Sequence, residues 1–390
     1  MIGTADRLTK VSPSATLELT AKAKEMRARG LPVISLAAGE PDFDTPKPIK
    51  DAGVRALEAG FTKYTPTSGT AELREAVCRK FQADQGLSYR PENVMISCGA
   101  KHSLYNLIQA LCGPGDDVLI PSPHWVSYPE MAYLAGADPV FIPLSEKDGF
   151  RLTARGLAAA VTPKSKVLIL NSPSNPTGAV IAESELRAIA DVIVEKNLLC
   201  ISDEIYEYYV YDGARHVSIA SFGDDIKQRT FVVNGCSKSY SMTGLRIGYL
   251  AGDTDVVRKM GMLQDHSTSN PVSISQRMAE AALAMPVSYR REVRALFEKR
   301  RTLMAGLLSK VKGFSPVPAS GAFYVFAGIR AAGLGSEKLC ERLLEETHTA
   351  VIPGKSFGSD GHVRFSFVAG EKDIEEGIGR IAKWAEANIK

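Results

Sequence analysis

One lysine of this sequence has the surroundings of a reactive amine. Lys238 follows an apolar run, lies between two serines and precedes several glycines. A single lysine is usually exposed to solvent, but small neighbours here leave room for a planar ligand beside the amine. Burial near a second cation lowers a lysine pKa, which is the condition for forming a Schiff base. The hydroxyl of Ser237 and the guanidinium of Arg246 would suit a phosphate group, the arginine as a two-pronged donor.

Two further segments place polar side chains directly after apolar runs. Asp203 ends one such run and Tyr206 follows three residues later, at the strand end where open α/β sheets bind ligands. The acid could hydrogen-bond a protonated ring nitrogen and the tyrosine a phenolic oxygen; a surface acid and a half-buried tyrosine are the alternative. Asn175 lies in the turn-forming segment 171–180. There it is well presented as a donor to a ligand, although the Asn-Pro and Pro-Thr-Gly strings also favour a purely structural turn.

A fourth segment, residues 97–106, is typical of a strand, a turn and a helix in succession. Gly99, Ala100 and Lys101 form the turn, and the free backbone N–H groups of the helix N-terminus that follows suit a phosphate. The Gly-Ala-Lys string alone is a weak signal. It carries weight here only in combination with the other three segments.

These segments belong to an alternation of short apolar runs and helical stretches. Several of the runs are apolar throughout, as expected for strands covered on both faces. The candidate strands are residues 94–97, 118–121, 139–143, 167–170, 199–202, 231–234 and 247–251. The candidate helices between them are residues 101–111, 127–134, 152–160 and 184–196. The alternation predicts an α/β fold with a mostly parallel sheet of about seven strands and helices on both sides.

The two ends of the chain differ from its middle. Helices are predicted at 13–29, 285–312, 336–346 and 371–388, and short strands at 321–327 and 363–366. We therefore predict a large domain at 46–285 and a small domain that is formed by both termini, 1–45 and 286–390.

The composition excludes several classes of protein. The 390 residues include 47 Lys and Arg against 44 Asp and Glu, a formal net charge of +3 without basic blocks, which argues against nucleic acid or an anionic membrane as the main partner. No apolar run approaches the ~20 residues of a membrane span, and the first ten residues lack the apolar segment of a secretion signal. The six cysteines are scattered, without metal-binding spacing. We expect reduced thiols, no metal site and a cytoplasmic location.

Together the four segments resemble those of class I aminotransferases, enzymes of fold type I that use pyridoxal 5′-phosphate (PLP). The resemblance covers nearly all the chain, is most specific around Lys238 and Arg246, and is closest to the Iβ subgroup of bacterial aspartate aminotransferases. The supporting strings are PSAT (13–16), AAGEPDFDTP (37–46), KYTPTSG (63–69), PHWVSYPEM (123–131), NSPSNPTG (171–178) and SDEIYE (202–207). The resemblance implies a large PLP-binding domain, a small substrate-closing domain and a homodimer with active sites at the subunit interface.

The resemblance also implies a role for each matching residue. Lys238 would form the Schiff base and carry the catalytic proton, and Asp203 would pair with the ring nitrogen so that the ring acts as an electron sink. The other cofactor-binding residues would be Tyr206 and Asn175 at the ring oxygen O3′, Trp125 on the ring face, and Gly99, Ala100, Lys101, Ser237 and Arg246 at the phosphate, with Tyr64 arriving from the partner subunit. The substrate-binding residues would be Gly39, Lys101, Trp125, Asn175, Arg364, Ser14 and Thr16, with Arg364 clamping the α-carboxylate.

Substrate preference depends on a second cation. In the Iβ enzymes the lysine of the glycine-rich turn binds the distal carboxylate, and Lys101 matches it, so the resemblance implies ping-pong amino transfer from L-aspartate to 2-oxoglutarate. A different subgroup uses an arginine where Asp265 stands here. An inward-pointing acid would favour a cationic amino acid, whereas a solvated or locally paired Asp265 would leave the preference unchanged. Three departures from the subgroup could widen or reshape the pocket for aromatic amino acids or prephenate. Leu245 replaces the usual tryptophan, Phe367-Val368-Ala369-Gly370 replaces the usual Tyr-Ala-Thr-Ser, and the loop between Phe326 and Lys338 is short.

Two other functions are compatible with parts of this pattern. A PLP-dependent β-lyase would keep the fold and the cofactor and release pyruvate and ammonia from cysteine-type substrates. Arg364 and Lys101 together fit transamination of a diacid better. A PLP-binding sensor would need a DNA-binding module, for which the first 30 residues are too few.

Overall fold

The computed structural model describes residues 3, 5–13, 15–329 and 332–389. Its α-helices are α1 (Ala15–Ala28), α2 (Lys47–Glu58), α3 (Ala71–Gln85), α4 (Ala100–Leu111), α5 (Ser127–Leu134), α6 (Ala154–Ala160), α7 (Glu183–Glu195), α8 (Asp224–Arg229), α9 (Thr254–Asp265), α10 (Ser273–Leu283), α11 (Val287–Leu308), α12 (Ser336–Thr347) and α13 (Glu371–Asn388). Its strands are β1 (Ile34–Ser35), β2 (Val94–Ser97), β3 (Asp117–Ser122), β4 (Asp138–Pro143), β5 (Ser165–Asn171), β6 (Leu199–Asp203), β7 (Thr230–Gly235), β8 (Gly248–Ala251), β9 (Ser315–Pro316), β10 (Tyr324–Gly328), β11 (Thr349–Ala350), β12 (Ile352–Pro353) and β13 (His362–Ser366). None of the described helices combines the length and the hydrophobicity needed to cross a bilayer.

A seven-stranded sheet has the order β2-β8-β7-β6-β5-β3-β4. β8 runs antiparallel to both of its neighbours, and the other pairs are parallel. Along β5, Val167 and Ile169 join one apolar cluster whereas Leu168 and Leu170 join another. Because both faces are covered, the strand is apolar without alternation. All seven predicted strands and the four helices between them are confirmed, with bounds that differ by at most two residues.

Elements from both ends of the chain form a second group. Strands β12-β13-β10-β9 make an antiparallel sheet, and β1 pairs in parallel with β11, which joins an N-terminal segment to a C-terminal one. Buried aromatic rings pack in this region: Phe297 of α11 lies 5.8 Å from Phe323 and 6.5 Å from Phe367, measured between ring centroids. The division of the chain into domains at 45 and 286 stays a prediction.

Two predicted elements differ from the structure at their ends. β10 begins at Tyr324 rather than at 321, because Ala322 has a φ of 55°, in the left-handed region that a strand cannot contain. α11 ends at Leu308 rather than near 312, where the chain turns and Val311 N–H bonds to the Leu308 carbonyl. The helix predicted at 13–29 is α1.

The parallel strands end at one edge of the large sheet. Asn171 at the end of β5 is in register with Asp203 at the end of β6, and Asp203 is in register with Val233 of β7. The turns that follow these strands carry Asn175, Tyr206 and the reactive-lysine candidate. Strand topology therefore gathers polar residues that are far apart in the sequence.

Candidate active site

A cavity of about 220 Å³ opens at this sheet edge. The predicted residues in its wall are Gly39, Ala100, Lys101, Trp125, Asn175, Asp203, Tyr206, Ser237, Lys238, Arg246 and Arg364. Tyr128, Asn171 and Tyr324 also line it, although the sequence analysis assigned them no role. The four separate segments and Arg364 thus meet in one place.

Lys238 lies in the turn after β7 and projects its amine into the cavity wall. Its Nζ donates a hydrogen bond to the carbonyl of Gly39 at 2.7 Å. Burial lowers the pKa of Lys238 to about 8; the negative charge of Glu40 opposes this shift, and the positive charges of Arg246 and Arg364 add to it. An appreciable fraction of the amine is therefore neutral, and hence nucleophilic, near neutral pH.

Asp203, the last residue of β6, is 4% exposed. The Tyr128 hydroxyl donates to its Oδ2 at 2.7 Å, and the backbone N–H of Ile205 donates to its Oδ1 at 3.3 Å. Burial raises the pKa of Asp203 to about 6, while these two hydrogen bonds and the charge of Lys238 act to lower it. The carboxyl group titrates close to neutral pH, and a cationic ring nitrogen beside it would hold it ionised.

Arg364 of β13 is a buried cation, 2% exposed. It donates to the side-chain oxygen of Asn175 and to the carbonyl of Ala37, both at 3.0 Å. Its guanidinium lies 4.3 Å from the ring centroid of Tyr324, whose hydroxyl is 3.0 Å from that of Tyr206. In the described part of the chain no carboxylate pairs with Arg364, and its Nε has no hydrogen-bond partner.

The N-terminus of α4 and β8 form a narrow cradle. Gly99 has a φ of +90°, and a Cβ there would lie 2.5 Å from Nη2 of Arg246. A Cβ on Gly248 would lie 2.1 Å from the backbone nitrogen of Ala100. Arg246 bonds only neutral groups, the carbonyls of Thr243 and Cys98. Free helix N–H groups and an arginine without a carboxylate partner among the described residues make a phosphate site.

Lys101 follows this cradle on α4. Its Nζ lies 4.9 Å from the ring centroid of Trp125, and burial together with the positive charge of Arg246 lowers the pKa of Lys101. As with Arg364, no carboxylate pairs with Lys101 among the residues that the structure describes. Trp125 in turn packs edge-on against Tyr128, with the ring centroids 5.3 Å apart.

The remaining predicted residues are not part of the cavity wall. Gly99 has no side chain, and its backbone forms part of the phosphate cradle next to Arg246. Tyr64 is 90% exposed, at the surface of this chain. Ser14 lies outside the described residues, and so does the side chain of Thr16.

Two of the positions that raised questions of specificity have local explanations. Asp265 is exposed and accepts a hydrogen bond from the Thr67 hydroxyl at 2.5 Å, so it has a neutral partner rather than a base. Leu245 packs against an apolar cluster around Tyr249 and is absent from the cavity wall. The structure therefore does not place Leu245 at the cavity, and an effect of Leu245 on substrate specificity stays a prediction.

The donor set of this cavity fits PLP. The cradle suits its phosphate, the buried carboxyl of Asp203 suits its ring nitrogen, the hydroxyl of Tyr206 suits its phenolic oxygen, and the amine of Lys238 suits its aldehyde carbon. A parallel α/β sheet with this set at the carboxyl ends of its strands defines a PLP-dependent enzyme of fold type I.

Comparison with known proteins extends this conclusion. The family model for class I and II aminotransferases matches residues 32–381. An aspartate aminotransferase from Bacillus subtilis (strain 168) is 45% identical over 387 residues, 98% of each chain. A probable aspartate/prephenate aminotransferase from Aquifex aeolicus (strain VF5) is 46% identical over 389 residues, 98% of this chain and 99% of its own. The Thermus thermophilus aspartate aminotransferase solved with maleate has a TM-score of 0.94 and 40% identity, covering 98% of this chain and 100% of its own.

The chain belongs to the class I and II aminotransferase family. It is a PLP-dependent aminotransferase, and amino acids and 2-oxo acids are its substrates.

Proposed function

We propose that this enzyme transfers the amino group of L-aspartate to 2-oxoglutarate, giving oxaloacetate and L-glutamate. The observation that carries the proposal is a set of three cations in one cavity, Lys101, Arg246 and Arg364, none of which has a carboxylate partner among the described residues. Arg364 is 2% exposed, and burying a cation without an anion is costly. Lys101 and Arg246 are more exposed but line the same cavity. The cavity therefore suits three anionic groups. The cofactor phosphate is one, and a dicarboxylic substrate supplies the other two.

The positions of the cations assign these groups. Arg246 lies in the phosphate cradle, and Arg364 is tied to Asn175 beside the ring site, where an α-carboxylate would bind. Lys101 remains for the distal carboxylate. The names of the relatives support this assignment: the Bacillus subtilis protein is an aspartate aminotransferase, and the Thermus thermophilus structure contains maleate, a dicarboxylate.

We assign the cofactor contacts to the residues whose sequence motifs predict them. The phosphate would be held by the backbone of Gly99, Ala100 and Lys101 and by the side chains of Ser237 and Arg246, and the ring by Trp125, Asn175, Asp203 and Tyr206. Gly39 would assist Arg364 at the substrate carboxylate. Its carbonyl bonds Lys238 Nζ, so the substrate and the amine would meet at this backbone segment.

Lys238 transfers the substrate Cα proton in the proposed reaction. Bound PLP delocalises into its ring the electron pair that is left on the substrate Cα. With a pKa of about 8, Nζ of Lys238 can accept the Cα proton as a neutral amine and donate it on the cofactor side. Hydrolysis by water would then release the 2-oxo acid and leave the amino group on the cofactor, which completes one half-reaction. The second substrate reverses these steps, so the kinetics are ping-pong.

We also propose a cytoplasmic homodimer with active sites at the subunit interface. Tyr64 is 90% exposed, and large apolar side chains are exposed on α2, on α9 and just before α10, as is typical of an interaction surface. Ser273 donates to the carbonyl of Lys63 at 2.6 Å, which fixes the segment with Tyr64 against α10. Tyr64 would complete the phosphate site of the partner subunit.

A second acceptor, prephenate, is favoured by one observation. The relative from Aquifex aeolicus, 46% identical, is named a probable aspartate/prephenate aminotransferase. Prephenate carries two carboxylates, so the same pair of cations would bind it. The assay for this acceptor is direct: L-glutamate plus prephenate should yield 2-oxoglutarate if the second activity is present.

The test of substrate preference is Lys101→Met. We expect kcat/KM for L-aspartate to fall about 100-fold, because a charge contact that bound substrate shields from water contributes a few kcal/mol, while kcat/KM for L-alanine changes less than about threefold. Lys310→Met, a surface change at the end of α11, is the matched control and should alter neither value. An equal loss for both amino acids in Lys101→Met would contradict the assignment of Lys101 to the distal carboxylate.

A further inference from the structure

A buried polar cluster lies behind the turn that carries Asp203 and Tyr206. Those two residues line the cavity, whereas Glu204 and Glu207, from the same turn, do not. Glu204 is 1% exposed and Glu207 is 5% exposed. Cofactor and substrate binding do not account for two buried acids at these positions.

Both oxygens of Glu204 are fully occupied. Oε1 accepts hydrogen bonds from the hydroxyls of Ser218 at 2.6 Å and Ser202 at 2.9 Å. Oε2 accepts from the side-chain amide of Gln85 at 2.7 Å and lies 3.0 Å from Nε2 of His216. Four partners from three segments of the chain thus fix one orientation of this carboxylate.

Glu207 extends the cluster to two helices. It accepts hydrogen bonds from Lys80 at 2.6 Å and from Gln85 at 2.8 Å, so Gln85 bridges the two acids. Asp84 lies 3.7 Å from Lys80 and 3.0 Å from Arg290. The titratable and charged groups that surround Glu204 come from several elements. They are Lys80 and Asp84 from α3, Tyr89 from the loop after α3, Cys200 and Asp203 from β6, Glu207 from the same turn, His216 from the loop before α8, and Arg290 from α11.

Glu204 is a charged group despite its burial. Burial by itself would raise the pKa of Glu204, but the charge and hydrogen bond of His216, together with Ser218 and Lys80, hold this pKa below its ordinary value. The negative charge of Glu204 in turn contributes to the raised pKa of Asp203. Buried ionic groups rarely stabilise a fold more than apolar packing would, so stability alone does not explain a charge at this position.

A metal site is the other explanation for such a cluster. One ligand atom each from Glu204, Glu207 and His216 lie within 4.8 Å of one another. However, the ammonium of Lys80 already lies 2.6 Å from Glu207, and Arg290 pairs with Asp84 next to it. Cationic side chains of the protein thus neutralise Glu207 and Asp84. This favours an anchoring role for the cluster over metal binding.

We infer that Glu204 is a positioning residue for transamination: anchored by His216, Gln85, Ser202 and Ser218, it fixes the turn that presents Asp203 and Tyr206 to the cofactor ring. The inference rests on the proposed roles of those two residues. Since Glu204 adjoins Asp203 in the chain, a shift of its carboxylate moves the backbone of Asp203 directly. Its charge also favours the protonated form of a cofactor bound at Asp203.

The test compares Glu204→Gln with the wild-type protein, both loaded with PLP. The substitution keeps the size of the side chain and removes its charge. We expect the pH midpoint of the absorption change of the bound cofactor to move down by about half a unit or more, because a nearby negative charge is lost. We expect kcat/KM for L-aspartate per bound PLP to fall at least about tenfold. Glu195→Gln, at the surface end of α7, is the matched control and should change neither value.

The results of this test distinguish a positioning role of Glu204 from a merely structural role. A Glu204→Gln enzyme with a lower melting temperature but a wild-type pH midpoint and wild-type kcat/KM would show a merely structural role and overturn the inference. If Glu204→Gln does not fold, His216→Gln decides: the inference predicts a three- to tenfold loss of kcat/KM, and wild-type kinetics would overturn it. If the wild-type protein binds PLP but does not react with L-aspartate, the proposed substrate is wrong, and the pH midpoint still tests the inference.

Discussion

At the scale of single residues, the chemistry depends on one amine with a lowered pKa. Burial lowers the pKa of Lys238 to about 8 from an ordinary value near 10.5, so its neutral form becomes the major one about 2.5 pH units earlier than for an exposed lysine. Only the neutral amine attacks an aldehyde. The rate at which the apoenzyme captures PLP should therefore rise with pH up to about 8 and level off above about 9.

Stopped-flow absorbance measures this prediction. Capture rates of the apoenzyme are divided by the rates with N-acetyl-lysine amide at the same pH, which cancels the titration of free PLP. Because the reference amine has an ordinary pKa near 10.4, the ratio should be constant below about pH 7 and fall about tenfold per pH unit between about pH 9 and 10. Lys238→Ala is the control, and it should show no covalent capture at any pH and a loss of turnover of about three orders of magnitude or more. A wild-type ratio that stays constant up to about pH 10, as it would for an ordinary lysine, would contradict a lowered pKa.

Most of the site residues could be predicted because each follows an apolar run or a recognisable turn. Lys238, Asp203 and Asn175 are examples, and the structure places all three in one cavity. Tyr128 and Tyr324 were missed because their positions depend on packing. Tyr128 lies one turn of helix after Trp125 and meets Asp203 only through the α5–β6 arrangement, and Tyr324 follows a residue with positive φ that broke the expected strand.

At the scale of secondary structure, the start of α4 shapes the phosphate cradle. A Cβ at Gly99 would lie 2.5 Å from the guanidinium of Arg246, and this flexible side chain would have to move away. We expect Gly99→Ala to raise the dissociation constant of PLP at least about tenfold, as the loss of one charge-assisted hydrogen bond does. It should also lower the free energy of unfolding by about 1–2 kcal/mol, because alanine is disfavoured at positive φ.

Gly86→Ala is the matched control for this change. Gly86 also has a positive φ, +68°, but a Cβ there would meet no atom within 4 Å. We expect the same order of destabilisation and unchanged PLP affinity, measured by fluorescence titration and by thermal unfolding of both variants. Equal PLP affinities for the two variants would show that the cradle does not bind the phosphate.

Elements were easier to predict than their ends. Most strands of the large sheet are apolar on both faces, so their runs are visible in the sequence, and all seven were predicted. The ends of β10 and α11 depend on Ala322 and on the turn after Leu308, which composition does not mark. The buried cluster around Glu204 was missed for the same reason, since its partners come from α3, α11 and the loop before α8.

At the scale of the whole molecule, the proposed homodimer makes a separate prediction. Leu57 on α2 and Met262 on α9 are 57% and 58% exposed, although both are large and apolar. Leu57→Asp places a charge on this face, which should shift the protein from dimer to monomer and weaken PLP binding, because Tyr64 would no longer reach the neighbouring site. Light scattering after size-exclusion chromatography measures the first effect and PLP titration the second.

A control on another surface makes the dimer test specific. Val287 at the start of α11 is 50% exposed, and Val287→Asp should leave the protein dimeric with wild-type PLP affinity. A Leu57→Asp protein that stays dimeric and binds PLP as the wild type does would place the interface elsewhere. Small-angle scattering with and without a dicarboxylate tests the prediction of two domains divided at 45 and 286.

The central claim is that one cavity binds PLP and exchanges an amino group between dicarboxylic substrates. The most direct measurement is the absorption spectrum of the PLP-loaded protein before and after L-aspartate, without any oxo acid. We expect the band of bound PLP to be replaced by that of the amino form of the cofactor, and 2-oxoglutarate to restore the first band. A spectrum that L-aspartate leaves unchanged, while L-phenylalanine, L-lysine or L-alanine converts it, would contradict the proposed substrate.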